Sequence, residues 1–498
     1  MSRHQVPEGW TVQAYRFALD PTPTQARAMA SNVGAARFVY NWGLGLVESR
    51  LHERRRLGEQ ALVEGCSKRE ADALAASVVV PWNLYALRRE WNAAKDCVAP
   101  WWAANSKEAY SSGLDSLARA LGAYFESASG KRTGPRMGWP RRKKRRCRAS
   151  CRFTTGSFRV VDAHHIALPR IAPASKGVKT HEPTTKLATR LADATARILS
   201  ATLSLEAGRW FVSFTCEVCR EALPLPAGPV VGVDVGVSFL ATVSTGEKVP
   251  NPRALSRYAR TMARLSRRCS RRQRGSRRHA RSRAALARIH ARLSHVRRDA
   301  MHRLTTFLAR NHAGVVVERL AVANLLRRPA PRPDPGRPGR HLRNGRRAKA
   351  GLNRGIHDAS PAELRRQLTY KCRWYGSTLV VADVFFPSSK TCSGCGWRKP
   401  SLSLSERLFV CENPKCLLVM DRDLNASLNL KALVASVGTG SGPGTCPPNG
   451  ANARGEERLQ PGNGRCSSMN REAGTGSMES GETGTAVLQE AAARTRGG

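Results

Sequence analysis

Acidic side chains are scarce in this chain. Asp and Glu together number 37 against 83 Lys and Arg in 498 residues, a formal net charge of +46. A compact chain with that excess repels itself unless a polyanion neutralises it, so nucleic acid is the expected partner. Long apolar runs are missing too. No stretch reaches the roughly 18 consecutive apolar residues of a membrane helix, and the opening MSRHQVPEGWTVQ lacks the apolar core of a signal peptide. The expectation is therefore a cytoplasmic protein with no membrane contact. The 12 histidines form no ligand-spaced cluster, and no Ser, His or Cys nucleophile arrangement stands out. The 14 cysteines then sit in a reducing compartment, where closely spaced pairs more often hold metal than form disulfides.

What is present divides along the chain. A hydrophobic fraction of 41% suffices for real cores, and the length suggests about three domains. TVQAYRFAL at 11–19 alternates like a strand, and DPTPTQ breaks it and caps a helix beginning near Gln25. A helical pattern runs from there to about residue 128, then a basic linker, KRTGPRMGWPRRKKRR at 131–146, then strand-like pieces such as CRFTTGSFRVV, HHIALPRI and RWFVSFTCEV. A strand, a large helical insertion and further strands imply a small barrel whose first strand is separated from the rest. EALPLPAGP at 221–229 marks a boundary, and VVGVDVGVSFLATVS after it reads as a buried strand with a second behind it. Residues 251–310 hold 19 arginines and one acid, Asp299. With one apolar stripe, they predict a basic helical hairpin whose charge contacts phosphates. GVVVERL at 314–320 is another short buried strand; 326–355 reads as a flexible Arg, Pro and Gly loop; SPAELRRQLTYKCRWYG is a helix opened by a Ser-Pro cap; STLVVADVFF is a strand; HDAS at 357–360 is a turn and cap. The Gly, Ser, Thr, Pro and Asn composition of the tail, 436–498, predicts disorder.

Two constellations carry chemistry. CSGC places Cys392 and Cys395 across a tight turn, and CENPKC returns with Cys411 and Cys416 after a 15-residue excursion, with four residues between its sulfurs rather than the commoner two. Four thiolates so spaced suit a closed tetrahedral zinc site, structural because no position is left for water. The pairs Cys216 with Cys219 and Cys147 with Cys151 have no second pair nearby and are expected not to bind metal. The second constellation is acidic. Asp234 interrupts VVGVDVGV, Glu318 follows the VVV of another apolar strand, and Asp423 opens the helix DRDLNASLNL. An unpaired carboxylate among buried valines costs several kcal/mol. Three of them on separate core elements suit a site for divalent cations, where two magnesium ions act on a phosphodiester.

In order, AYRFALDPTPTQ, GAARFVYNWGL, GVDVGVSFLATVSTGE, VVVERLAVANL, PAELRRQLTYKCRWYG, FFPSSKTCSGCG and DRDLNASLNL resemble the segments of the TnpB proteins of bacterial insertion sequences, relatives of the type V CRISPR nucleases. The resemblance covers about residues 11–435. It implies an α/β plus α chain: an RNase H-like RuvC nuclease domain with a zinc-ribbon insertion, preceded by a β-barrel, OB-like wedge domain carrying a helical recognition insertion. The implied bounds are 1–20 and 131–225 for the wedge, 21–130 for the recognition helices, 226–387 and 421–435 for the nuclease and 388–420 for the ribbon. It implies RNA-guided cleavage of double-stranded DNA beside a short adjacent motif, with a guide RNA from the element's end. Asp234, Glu318 and Asp423 carry over as the catalytic acids and magnesium ligands, with Asp421 the rival for the third place, and the four cysteines as zinc ligands. Arg37, Tyr40 and Asn41 lie in the segment most suggestive of nucleic-acid contact, although core packing is an equal reading of Tyr40. Arg141, Arg142, Lys143 and Lys144 of the linker, with Arg271, Arg272, Arg277 and Arg278 of the hairpin, are expected on nucleic-acid backbone. Two alternatives stay open: a transposase performing strand transfer with the same acids, and a non-catalytic regulator. The loop at 326–355 and the tail match no segment of the family.

Overall fold

The computed structural model describes residues 6–145, 149–154, 158–172, 175–220, 223–403 and 405–437. They fall into two compact units that join between Cys219 and Arg220. The disorder expected of the tail concerns residues of which 438–498 lie outside the described set. Among the described residues no helix is long and apolar enough to cross a membrane.

The first unit opens with strand β1 (Trp10–Asp20). Pro21 and Thr22 end it, and Thr22 caps helix α1 (Pro23–Val63): its hydroxyl accepts from the Gln25 amide while the Gln25 side chain accepts from Thr22 N–H, a capping box that satisfies two orphan donors. Helices α2 (Lys68–Ser77), α3 (Leu84–Val98) and α4 (Lys107–Ala128) follow. After the linker come β2 (Ala149–Phe153), β3 (Arg159–Val160), β4 (His165–Ala167), β5 (Val178–Thr180), a short α5 (Thr185–Ala192), β6 (Ala196–Glu206) and β7 (Arg209–Cys219). The sheet order is β2-β6-β7-β1-β5-β4-β3. The strand isolated in sequence thus sits mid-sheet, antiparallel to β7 from Trp10↔Cys219 to Leu19↔Trp210. Among the described residues hydrogen bonding leaves the order open at β2 and β3, so the expected barrel is, by the pairing described, a seven-stranded open sheet. Tyr15, Phe17 and Leu19 alternate onto one face of β1 and join Leu44 of α1 and Leu114, Leu117 and Leu121 of α4 in one core.

The second unit begins with β8 (Val231–Asp234), β9 (Phe239–Val243) and β10 (Lys248–Pro250). Helices α6 (Ala254–Ser270) and α7 (Arg277–Asn311) form the predicted basic hairpin, with β11 (Gly314–Val317) after it. Next come α8 (Val322–Leu325), the two-residue strands β12 (Arg332–Pro333) and β13 (His341–Leu342), α9 (Arg346–Ala359), α10 (Pro361–Tyr375) and β14 (Thr378–Val381). Strands β15 (Leu408–Val410) and β16 (Val419–Asp421) form a separate hairpin before the last helix, α11 (Arg422–Val437). The main sheet runs β10-β9-β8-β11-β14, antiparallel from β10 to β8 and parallel from β8 to β14. Parallel strands are covered on both faces, which is why β8 and β11 read as near-continuous valine. Val315 and Val317 face Leu304 and Leu308 of α7 and Leu364 and Leu368 of α10, whereas Val316 faces Leu430 of α11.

Two expectations need correction. The loop predicted over 326–355 ends early, because α9 starts at Arg346 behind Gly345, whose φ of +69° sets the turn. Asn353 and Lys349 donate to the carbonyls of Leu326 and Leu325, and these bonds add to the burial of Ile356 and Ala359 at the end of the helix. Ser360 is not a side-chain cap for α10. It joins α9 to α10 with a φ of +48°, and its hydroxyl donates back to the His357 carbonyl. Asp358 beside it is buried, accepts from Arg297 Nε at 2.6 Å and caps the Leu255 amide of α6, so it fixes the hairpin to α9.

Candidate active site and metal centre

Asp234 ends β8 and Glu318 directly follows β11. These strands are parallel neighbours with Val317 opposite Val233, so both carboxylates leave the sheet at the same edge. Asp423 arrives from the other side, in the first turn of α11. A close approach makes this possible. A Cβ on Gly232 would stand 1.9 Å from the Ser427 carbonyl and 2.6 Å from the Lys431 amide, so only glycine lets the helix backbone lie on the strand.

Asp234 feels the other two acids. Burial first, then the charges of Glu318 and Asp423, push the Asp234 carboxyl up to about 8, against a smaller opposing pull from Arg422. Burial also raises Glu318, opposed by the Ser388 hydroxyl that donates to its Oε1. Like carboxylates so placed disfavour full ionisation, and a cation relieves the repulsion. The chemistry of the donor set therefore fits a divalent metal, although among the described residues only the cysteines draw their ligand atoms into one tight group.

Asp421 and Asp423 separate cleanly. Asp421 pairs with Lys248 Nζ at 2.7 Å and accepts from the amides of Asp423 and Leu424 at 3.1 Å each, which makes it the N-cap of α11. Partial burial works to raise its carboxyl, but Lys248 and the helix amides hold it below the ordinary range. Asp423 contacts Arg422 Nη2 at 3.5 Å and is the acid that bears on Asp234.

The four cysteines converge. Cys392 and Cys416 are 3.7 Å apart, Cys395 and Cys411 3.6 Å, and all four sulfurs lie within 4.8 Å of one another. A tetrahedron with Zn–S bonds near 2.3 Å has edges of about 3.8 Å, so the cluster fits a metal such as zinc. The wider CENPKC spacing is absorbed by a turn in which the Cys416 amide donates to the Asn413 carbonyl and Asn413 Nδ2 reaches Cys395 Sγ. The pair Phe409 and Trp397 packs beside the sulfurs. Cys151 and Cys216 are buried and free, without joining a metal group among the described residues.

Sequence reasoning missed what ties the two centres together. Asn425 of α11 accepts from the Ser393 amide at 2.9 Å and donates to the Thr391 carbonyl at 2.7 Å, bracketing Cys392. Asn429, one turn on, donates to the carbonyls of Ser388 and Thr391. Both asparagines are buried. Polar residues four apart on the core face of an apolar helix were the available signal.

The basic candidates separate by position. Arg37, Lys143 and Lys144 line one cavity of the first unit. Tyr40 is buried beneath the Lys143 ammonium, 4.0 Å from its ring centre, and Asn41 spends its amide on the Lys143 backbone. Arg142 pairs with Glu48 at 3.0 Å, and Arg141 is exposed. In the hairpin, Arg272 closes the turn onto the Arg278 carbonyl and Ser282, while Arg271, Arg277 and Arg278 are exposed.

A family model described as "Probable transposase" (OrfB_IS605) matches residues 213–328, a "Helix-turn-helix domain" of the same family matches 11–56, and "Cas12f1-like, TNB domain" matches 362–430. A protein of Mycobacterium tuberculosis named "Putative RNA-guided DNA endonuclease" is 36% identical over 452 residues, spanning 86% of this chain and 88% of the relative. One of the same name from Streptomyces pristinaespiralis is 33% identical over 423 residues, spanning 84% and 89%. InsQ of Escherichia coli K12, named likewise, is 28% identical over 421 residues, spanning 84% and 92%. The chain belongs to this family, the OrfB or TnpB proteins of insertion sequences. The segment matched as helix-turn-helix is here one strand followed by one long helix.

Proposed function

We propose that this protein is an RNA-guided, metal-dependent endonuclease that cuts DNA beside a short adjacent motif, with Asp234, Glu318 and Asp423 as its catalytic carboxylates. The carrying observation is the convergence of three acids from β8, β11 and α11, two of them pushed upward in pKa. The sheet order supports an RNase H-like, RuvC-type nuclease: numbered within the unit it is 3-2-1-4-5, three antiparallel strands followed by two parallel ones. The names borne by the relatives support RNA guidance and DNA as substrate. In the first unit, a sheet interrupted after β1 by α1–α4 supports the wedge with a recognition insertion.

Asp234, Glu318 and Asp423 would hold magnesium, which supplies an activated water and stabilises the leaving oxygen of a phosphodiester. The residues present prepare for this. Asp234 and Glu318 are fixed by adjoining strands, Gly232 admits α11 so that Asp423 meets them, and Ser388 orients Glu318. The cysteine cluster, holding structural zinc, anchors the 388–393 segment to Asn425 and Asn429. The exposed arginines of α6 and α7 suit the backbone of guide RNA and its heteroduplex, leaving sequence choice to pairing. The setting would be the bacterial cytoplasm, at the nucleoid.

The test is co-expression with the element's own 3′ flank, sequencing of copurified RNA, and cleavage assays with that RNA, magnesium and matched duplexes. Guide-directed cutting that disappears in Asp234→Ala, with RNA binding intact, is expected. Joined donor and target DNA without any need for RNA would instead indicate strand transfer, and binding without cutting a regulator.

A further inference from the structure

The first unit holds a cavity of about 170 Å³ where α1, α4, the basic linker and β2 meet. Its cationic lining comes from four separate elements: Arg37 from α1, Arg119 from α4, Lys143 and Lys144 from the linker and Arg152 from β2. Among the described residues no carboxylate lines it. Asp115 engages Arg119 from one turn away. The side chains of Arg37 and Lys144 make no hydrogen bond or ion pair among the described residues.

The site is built rather than incidental. Asn41 clamps the Lys143 backbone in both directions, accepting from its amide at 2.7 Å and donating to its carbonyl at 3.0 Å. The Lys143 ammonium donates to Ser116 Oγ at 2.8 Å and lies 4.0 Å over the Tyr40 ring. At the edge of the cavity Gly113 brings α4 onto α1, since a Cβ there would fall 2.3 Å from the Ala36 carbonyl. A lysine that served only solubility would keep its rotamer freedom. Converging cations and hydroxyls with no acid form a receptor for a compact, multiply accepting anion.

We propose that this cavity grips one backbone phosphate of a bound nucleic acid, with Arg37 and Lys144 making the contact and Lys143 pre-positioned beside them. The inference rests on the reading that the protein binds nucleic acid, though not on its cutting any. The shared chemistry is the phosphodiester, from guide RNA or from duplex DNA.

The experiment uses the full chain and the double variant Arg37→Ala, Lys144→Ala. Neither side chain has a protein partner among the described residues, so the melting temperature should stay unchanged. One arm measures affinity for the 3′-flank RNA against salt; the other measures affinity of RNA-loaded protein for a matched DNA duplex. A loss of roughly tenfold to a hundredfold in one arm, with the salt slope reduced by about one, supports the proposal and identifies the source of the phosphate. The control pair Lys131→Ala, Arg136→Ala removes equal charge from exposed linker positions outside the cavity. An equal loss in the control, or no change in either arm, overturns the proposal. Cleavage is not read, so failure of the nuclease assignment would leave this result standing.

Discussion

The hydroxyl of Ser388 donates a hydrogen bond to Oε1 of Glu318. The same serine is held from behind, because its carbonyl accepts from Asn429 Nδ2 at 2.7 Å. Asn429 lies on the helix that carries Asp423, so a short relay links two proposed catalytic acids through the segment leading to the cysteine cluster. Residues that orient a metal-binding carboxylate typically matter tenfold to a hundredfold. Ser388→Ala should therefore slow cleavage by roughly tenfold or more and raise the magnesium concentration needed, without changing RNA affinity. Ser388→Thr, which keeps the hydroxyl, should recover much of the loss. An unchanged magnesium requirement in the alanine variant would show that Glu318 needs no such support.

Asp421 and Asp423 offer a sharper discrimination. Asp421 is engaged by Lys248 and by two helix amides, and both ion-pair partners are about one-third exposed, at 33% and 34%. An ion pair so open contributes little, and a lost cap costs about 1 kcal/mol. Asp421→Ala should lower stability by about that amount and leave cleavage within roughly tenfold of the parent, a margin of about 1.4 kcal/mol. Asp423→Asn should reduce cleavage by about a thousandfold or more, since several kcal/mol of charge stabilisation is lost. The reverse order of effects in a single-turnover assay would exchange the two assignments.

The raised carboxyl of Asp234 has a thermodynamic consequence without magnesium. Its folded pKa, about 8, lies above the unfolded value of about 3.9. The unfolded chain thus releases this proton first as pH rises, and folding stability declines between those values and levels off above the upper one. Asp234→Asn removes that penalty. In zinc-containing, magnesium-free buffer its melting temperature should gain on the parent as pH rises from about 5.5 to about 8.5. The gain should correspond to a few kcal/mol at most, roughly several degrees. Added magnesium should erase the difference by stabilising only the parent. A pH-independent difference would mean that burial and the neighbouring acids do not raise this carboxyl.

The acids and cysteines were legible because each violates a local rule: a carboxylate inside a valine run, or thiols at ligand spacing. Their partners were not. Ser388 stands in PSSKTC, where polar residues are ordinary, and only the fold reveals that its hydroxyl meets Glu318, 70 residues earlier. Lys248 meets Asp421 across 173 residues, a separation that local patterns do not encode. The central place of β1 likewise depends on pairing Trp10 with Cys219. At 326–355 the Arg, Pro and Gly composition masked a helix, because α9 is held by hydrogen bonds to Leu325 and Leu326 as well as by its few apolar contacts.

The cysteine cluster makes the last prediction. Burial pushes the Cys411 thiol up, while the Trp397 amide draws Cys395 down, so these two do not ionise together without a cation beside them. Metal energy in such a site, roughly 10 to 16 kcal/mol in zinc peptides, is largely folding energy. Cys411→Ser should reduce bound zinc, measured by mass spectrometry, from about one per chain to a small fraction. It should also raise hydrogen exchange across β15 and β16, because the Cys411 amide bonds the Leu418 carbonyl in that hairpin. The effect should then travel: Thr391 and Ser393 flank Cys392 and are bound by Asn425, so exchange should rise in the first turn of α11 as well, and cleavage should fall with it. Chelator-treated protein should regain cutting with zinc plus magnesium but not with magnesium alone. Full zinc retention in the serine variant would remove Cys411 from the ligand set, and loss of zinc with unaltered cleavage would uncouple the cluster from the three acids.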